Sequence, residues 1–334
     1  MFELLGICLL LATLLTFNSL ATLVTAALWR LFGNVTRSWS ATGRARVIFF
    51  LRTFPASVAI LFVLLLIVPS YLAYEPRHGA EDVSYKLALL AFVSTIGLVL
   101  AMERGLAAWR VTARLTADWI AQGEPIAIPG INIPSYRIDH YFPVIAIVGI
   151  LRPRLFIATQ VLDLLTAEEI NAALSHEKGH LTGRDNMKRG LLRACRDSLL
   201  IIPCGRSLDR DWAEASEEAA DERAASEGRN VALDLASALV KIARIIPEGA
   251  RPTMPAGVFL FGDDEGAGIL GRVRHLLAFA ADADRPMLQS AISRHITTSA
   301  FAGLAFCGVA LAFNSQPVLS SVHSLIEHVV FALS

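Results

Sequence analysis

Residues His176-Glu177-Lys178-Gly179-His180 read H-E-x-x-H. On a helix, positions i and i+4 differ by about 40° around the axis, so both imidazoles project from one face. Two neutral ring nitrogens there can bind one Zn²⁺ at about 2.0–2.1 Å. Glu177 lies about 100° from His176 and can lean over the open side of the metal without ligating it. A carboxylate in that place takes a proton from a metal-activated water and later delivers it to the leaving amine.

Two histidines leave the site incomplete, because a catalytic zinc takes three protein ligands and a water. Downstream lie Glu214, Glu217, Glu218, Asp221 and Glu222. Glu217 and Asp221 are an i, i+4 pair, in which one carboxylate could ligate while the other hydrogen-bonds a ligand histidine. Glu214/Glu218 and Glu218/Glu222 have the same spacing, so spacing does not choose between them. The plain alternative is a solvated acidic helix. A non-catalytic sensor or scaffold with structural zinc is the rival function. Such a zinc is usually closed by four ligands, often with Cys, and has no need of Glu177. Tyr136, His140, Arg184 and Asp185 are further polar residues that could orient the site or stabilise an oxyanion, with a structural role the commoner use.

The elements around the motif follow from local signals. Pro125–Pro129, Pro143–Ile150 and Leu155–Thr159 are strand-like runs, with Arg152 and Pro153 turning between the last two. Thr166 followed by Glu169 is a capping-box pattern that opens a helix reaching about Leu181. Further helices are expected over about 187–202, 209–227, 231–246 and 270–280, with a loop rich in Pro, Gly and Asp at 247–268. That loop is a candidate for self-cleavage. Pro143–Ile150 could pair with an extended substrate as an edge strand, or could be an ordinary core strand.

These elements sit between greasy flanks. The chain has 334 residues, 54% hydrophobic and 18% charged, with thirty basic and thirty acidic side chains. Twelve of the sixty charges fall in residues 1–103, 47 in 104–294, and only Glu327 after that. This pattern excludes a single soluble domain and a disordered chain, and the balanced charge disfavours direct nucleic-acid binding. Spans of about 20 apolar residues are expected at about Phe2–Trp29, Phe54–Tyr74, Leu87–Met102 (with a continuation to Trp109) and Ile296–Phe313. Arg30, Arg37, Arg44 and Arg46 after the first span, and Arg104, Arg110 and Arg114 after the third, put those flanks in the cytoplasm. Both termini are then external, and 318–332 reads as a short interfacial helix. Four cysteines without C-x-x-C spacing read as small buried hydrophobes.

The expected fold is an α-helical integral membrane protein of about four spans, with a mainly helical, zincin-like cytoplasmic domain containing a small β-sheet. Its parts are 1–109, 110–294 and 295–334. Gly149–Thr159 (GILRPRLFIAT), Leu174–Asn186 (LSHEKGHLTGRDN) and Glu217–Asp221 (EEAAD) resemble the membrane-embedded gluzincin metalloproteases. These include the β-lactam-receptor proteases that cleave a repressor, and the heat-shock and CAAX-prenyl membrane proteases. The resemblance implies Glu217 as third ligand and Asp221 as its support. It also implies a zinc endopeptidase at the bacterial cytoplasmic membrane. Its substrate would be a cytoplasmic or membrane-proximal protein segment, such as a repressor or the chain itself, or membrane proteins in maturation and quality control. The layout is most like the β-lactam-receptor branch. That branch carries a penicillin-binding domain after its last span, whereas here about twenty residues follow Phe313, without Ser-x-x-Lys. Direct β-lactam sensing is therefore not expected. The partners expected are a protein or peptide substrate and the bilayer, with self-association open.

Overall fold

The structure is a computed structural model. It describes residues 2–76, 83–198, 206–246, 267–281 and 315–333, together with Gly303. Apart from Gly303, the expected fourth span lies outside the described residues, as do Cys204, Cys307 and all but the last two residues of the self-cleavage candidate 247–268.

Among the described residues, three helical rods are long and apolar enough to cross a membrane. The first is α1 (Phe2–Phe32), continued by a 3₁₀ turn at Gly33–Ser38. The second is α2 (Ala41–Phe62), a π turn (Val63–Ile67) and α3 (Val68–Tyr74). The third is α4 (Tyr85–Gln122). The second and third run further than the apolar stretches alone predict. Ser40 accepts a hydrogen bond from Gly43 N–H and caps α2 fourteen residues before Phe54, so Arg44 and Arg46 are helical rather than in a loop. Ser84 caps α4 in the same way. No break marks residue 109: α4 continues until Gly123, beyond the polar turns where Arg104 meets Asp197.

A four-stranded sheet follows, in the order β1-β2-β4-β3. Its strands are β1 (Glu124–Ile126), β2 (Ser135–Ile138), β3 (Ile145–Val148) and β4 (Arg154–Ala158). β2 pairs parallel with β4, while β1/β2 and β3/β4 are antiparallel. β2 was not foreseen, because its alternation covers only four residues. The turn at Arg152–Pro153 joins β3 to β4 as expected, and Gly149 serves it with φ +106°, a conformation that favours glycine. Thr159 opens a short helix, α5 (Thr159–Leu164), rather than ending a strand. The sheet's core holds Ile145, Leu155, Phe156 and Ile157, all fully buried.

Among the described residues, five helices follow in the polar block: α6 (Ala167–Gly183), α7 (Asp185–Asp197), α8 (Arg206–Ala225), α9 (Arg229–Ile245) and α10 (Ala267–Ala281). The capping box at Thr166 and Glu169 is formed. Glu169 also accepts hydrogen bonds from Ser237 and Lys241, which tie the start of α6 to α9. Burial opposes its charge, yet those donors and the Thr166 N–H hold its pKa below the ordinary glutamate value.

α8 is acidic because it serves two surfaces. One side docks on the membrane rods: Asp209 pairs with Arg52, Asp211 accepts from Trp29, Glu218 pairs with Arg44, and Glu222 accepts the N–H of Ala41. The other side faces α6. A final helix, α11 (Ser315–Leu333), covers the opposite ends of the rods, with Ile326 packed among Leu5, Tyr71 and Leu87.

Candidate metal centre

α6 carries the motif and α8 brings the carboxylates. The two helices approach closely at Gly179, where an added Cβ would lie 3.0 Å from the Ala220 backbone. That contact sets His176, His180 and Glu217 side by side. His176 Nε2 and His180 Nε2 are 3.2 Å apart. Glu217 Oε2 is 3.6 Å from His176 Nε2, and Glu217 Oε1 is 3.5 Å from His180 Nε2. Tetrahedral bonds of 2.0–2.1 Å to one ion would place donors about 3.3 Å apart. The three donors therefore frame a zinc-sized position, and among the described residues they form a group that could hold a metal ion. Glu217 Oε2 is buried and makes no hydrogen bond, its nearest charged neighbour being Arg272 Nη1 at 3.4 Å, so a lone pair remains for an ion.

The other ring nitrogens are committed. Asp221 lies 2.8 Å from His176 Nδ1, and Asp185 lies 2.9 Å from His180 Nδ1. Each carboxylate accepts a hydrogen bond from Nδ1–H and turns Nε2 towards the ion position. Asp185 reaches back because Arg184 adopts a left-handed conformation (φ +53°) between α6 and α7. Glu214 is exposed, and Glu218 and Glu222 are engaged by the membrane rods. Of the three i, i+4 pairs, Glu217/Asp221 is the one brought to the histidines.

Arg272 on α10 is a member of the cluster that sequence reasoning missed. Its Nε and Nη2 donate to the two Asp221 oxygens at 2.8 and 2.7 Å, and its Nη1 is 3.4 Å from Glu217 Oε2. Arg189 donates to Glu217 Oε1 at 2.9 Å. Neither arginine stands at a motif spacing from the histidines, so no local signal marked them.

The electrostatics are those of a carboxylate-rich pocket. Burial alone would keep His180 neutral, but Glu217 and Asp185 raise its pKa to about 10. His176 is likewise raised against its burial, chiefly by Asp221. Burial opposes the charge of Glu217 and Asp221, yet Glu217 is held well below its ordinary range, first by His180, and Asp221 is held low, first by Arg272.

Glu177 is buried beside this position and accepts the Ile147 N–H at 3.1 Å. Ile147 lies on β3, one of the two edge strands of the described sheet. Its carbonyl accepts from Asn186 at 2.9 Å, so both of its outward polar groups are occupied. The cavity beside His176, Glu177 and Arg272 measures about 10 Å³, room for about one water. The remaining candidates lie elsewhere: Tyr136 stacks on Phe156, and His140 bonds Phe142 and meets Trp119 edge-on. Cys8 and Cys195 are buried thiols.

Residues 146–246 match the family model of Peptidase family M48. The matched stretch runs from β3 through α9 and holds His176, Glu177, His180, Glu217 and Asp221, while Arg272 and the membrane rods lie outside it. The match supports a zinc metallopeptidase family, since M48 metallopeptidases are generally zinc dependent. It does not single out the β-lactam-receptor branch. No curated protein and no solved structure matches the chain.

Proposed function

We propose that the chain is a membrane-bound zinc endopeptidase in which His176, His180 and Glu217 hold the metal and Glu177 handles the proton. The observation that carries this reading is the zinc-sized frame of three donors with a buried carboxylate beside it. Zinc held there supplies Lewis acidity to a water and to the scissile carbonyl. Asp221 and Asp185 fix the two imidazole tautomers. Glu177 accepts a proton from the attacking water and passes it to the leaving nitrogen. Arg272 holds Asp221 in place.

The substrate in this proposal is an extended protein segment close to the membrane. β3 is the element against which such a segment would pair, once Asn186 and Glu177 release Ile147. The catalytic block lies on the cytoplasmic side, on the strength of Arg30, Arg44, Arg46, Arg104 and Arg110 at that end of the rods. On the resemblance of its layout to the β-lactam-receptor branch, the proposed role is regulatory cleavage of a cytoplasmic repressor, or of the chain itself, with membrane-protein maturation the alternative. The test is to incubate detergent-solubilised protein with an unfolded casein-like substrate, with and without chelator. Chelator-sensitive cleavage restored by Zn²⁺ is expected; cleavage indifferent to the chelator refutes the metal's role.

A further inference from the structure

At the end of the rods opposite the metal centre, three more potential ligands converge. Glu75 follows the last turn of α3, and His323 and Glu327 stand one helical turn apart on α11. One donor atom from each lies within 4.8 Å of the others. His323 Nδ1 is 3.9 Å from Glu75 Oε2, and His323 Nε2 is 3.4 Å from Glu327 Oε1.

Two observations set this cluster apart from ordinary surface charge. First, His323 Nδ1 is buried and has no hydrogen-bond partner, although it is aimed at a carboxylate. A buried polar atom in that state is costly unless something binds it, and 3.9 Å is too long for a hydrogen bond. Second, the scaffold is fixed independently of the three ligands. Ser70 donates to the Leu319 carbonyl at 2.8 Å and Tyr74 donates to the Gln316 carbonyl at 3.3 Å. Ile326 anchors α11 in the core beneath. The side chains of Glu75 and His323 are 7% and 15% exposed and Glu327 is 57% exposed, which leaves a path for an ion on one side.

We infer that Glu75, His323 and Glu327 form a second binding site, for a divalent transition-metal ion, which ties α11 to the end of α3. One imidazole with two carboxylates suits borderline ions such as Zn²⁺ or Co²⁺ better than Ca²⁺ or Mg²⁺, which take all-oxygen shells. The ion would sit at the far end of the same rod whose first residue, Ala41, is held by Glu222 beside Asp221. That rod is about 50 Å long at 1.5 Å per residue.

The experiment measures Zn²⁺ bound per full-length chain in detergent after equilibration with buffered metal. In a His176→Ala/His180→Ala background, about one equivalent should remain, and adding His323→Gln should remove it. In the otherwise intact chain, His323→Gln and, separately, Glu75→Gln should each cost one equivalent while chelator-sensitive cleavage persists. Co²⁺ in place of Zn²⁺ should show the same loss as a missing visible absorption. Equal metal content with and without His323→Gln, in both backgrounds, overturns the site and leaves a His–carboxylate contact only. This readout is independent of whether the first centre hydrolyses peptides.

Discussion

Arg272→Met removes the guanidinium that bridges Asp221 and Glu217, and its cost follows from burial. Arg272 is 8% exposed and Asp221 is fully buried. Breaking a buried pair by deleting one partner costs about 3–5 kcal/mol, because the other charge is stranded. At a few degrees per kcal/mol, that lowers the unfolding midpoint by roughly 10 °C. Met keeps most of the side-chain volume, so the loss reports charge rather than a cavity. Asp221→Asn on top of Arg272→Met removes the stranded charge while leaving an oxygen to accept from His176 Nδ1. A coupling of about 1–3 kcal/mol between the two sites is expected. The assay is thermal unfolding of wild type, both single variants and the double variant in one detergent, after chelation. Arg272→Met within about 0.5 kcal/mol of wild type, or strictly additive losses, would refute the assignment of Arg272 to this cluster.

Other expectations follow from single contacts. Glu217→Ala should lose most bound zinc from the first centre, whereas Glu218→Ala should keep it, because Glu218 is engaged by Arg44 at 2.6 Å; metal analysis decides, and the reverse order contradicts the frame. Asp185→Ala should weaken zinc binding by about 10–100-fold through loss of His180 orientation, read by competition with a chromogenic chelator. Gly179→Val should separate α6 from α8 at Ala220 and cost about 1–3 kcal/mol, with zinc content falling alongside the unfolding midpoint. Glu169 has a folded pKa below its ordinary 4.5. Its contribution is present above that value and is lost as pH falls through the lowered folded pKa. Glu169→Gln should therefore flatten the acid side of the stability profile, which a pH series of unfolding midpoints would show.

The motif helix was legible because its signals are local. Thr166 and Glu169 mark its start, and the 3.6-residue period turns His176 and His180 to one face. The third ligand was not fixed by spacing, since three i, i+4 pairs on α8 are equivalent until its neighbours are known. Arg44 and the Ala41 N–H claim Glu218 and Glu222 from the membrane side, and what remains faces α6. The reach of the rods was underread because hydropathy sees apolar length only. The caps at Ser40 and Ser84 and the polar turns up to Gln122 extend the helices past the greasy stretch. Arg272 and Arg189 were invisible for another reason: a buried ion pair between distant segments leaves no periodic trace. Asp185 was legible as a residue that could orient the site, but not as the partner of His180, because its position depends on the left-handed turn at Arg184.

The central claim is that Glu177 moves the proton while the histidines and Glu217 hold the metal. The most direct test is Glu177→Gln, assayed together for bound zinc and for cleavage of an unfolded casein-like substrate. The account predicts wild-type zinc content with cleavage abolished. Cleavage at the wild-type rate with zinc in place would contradict it.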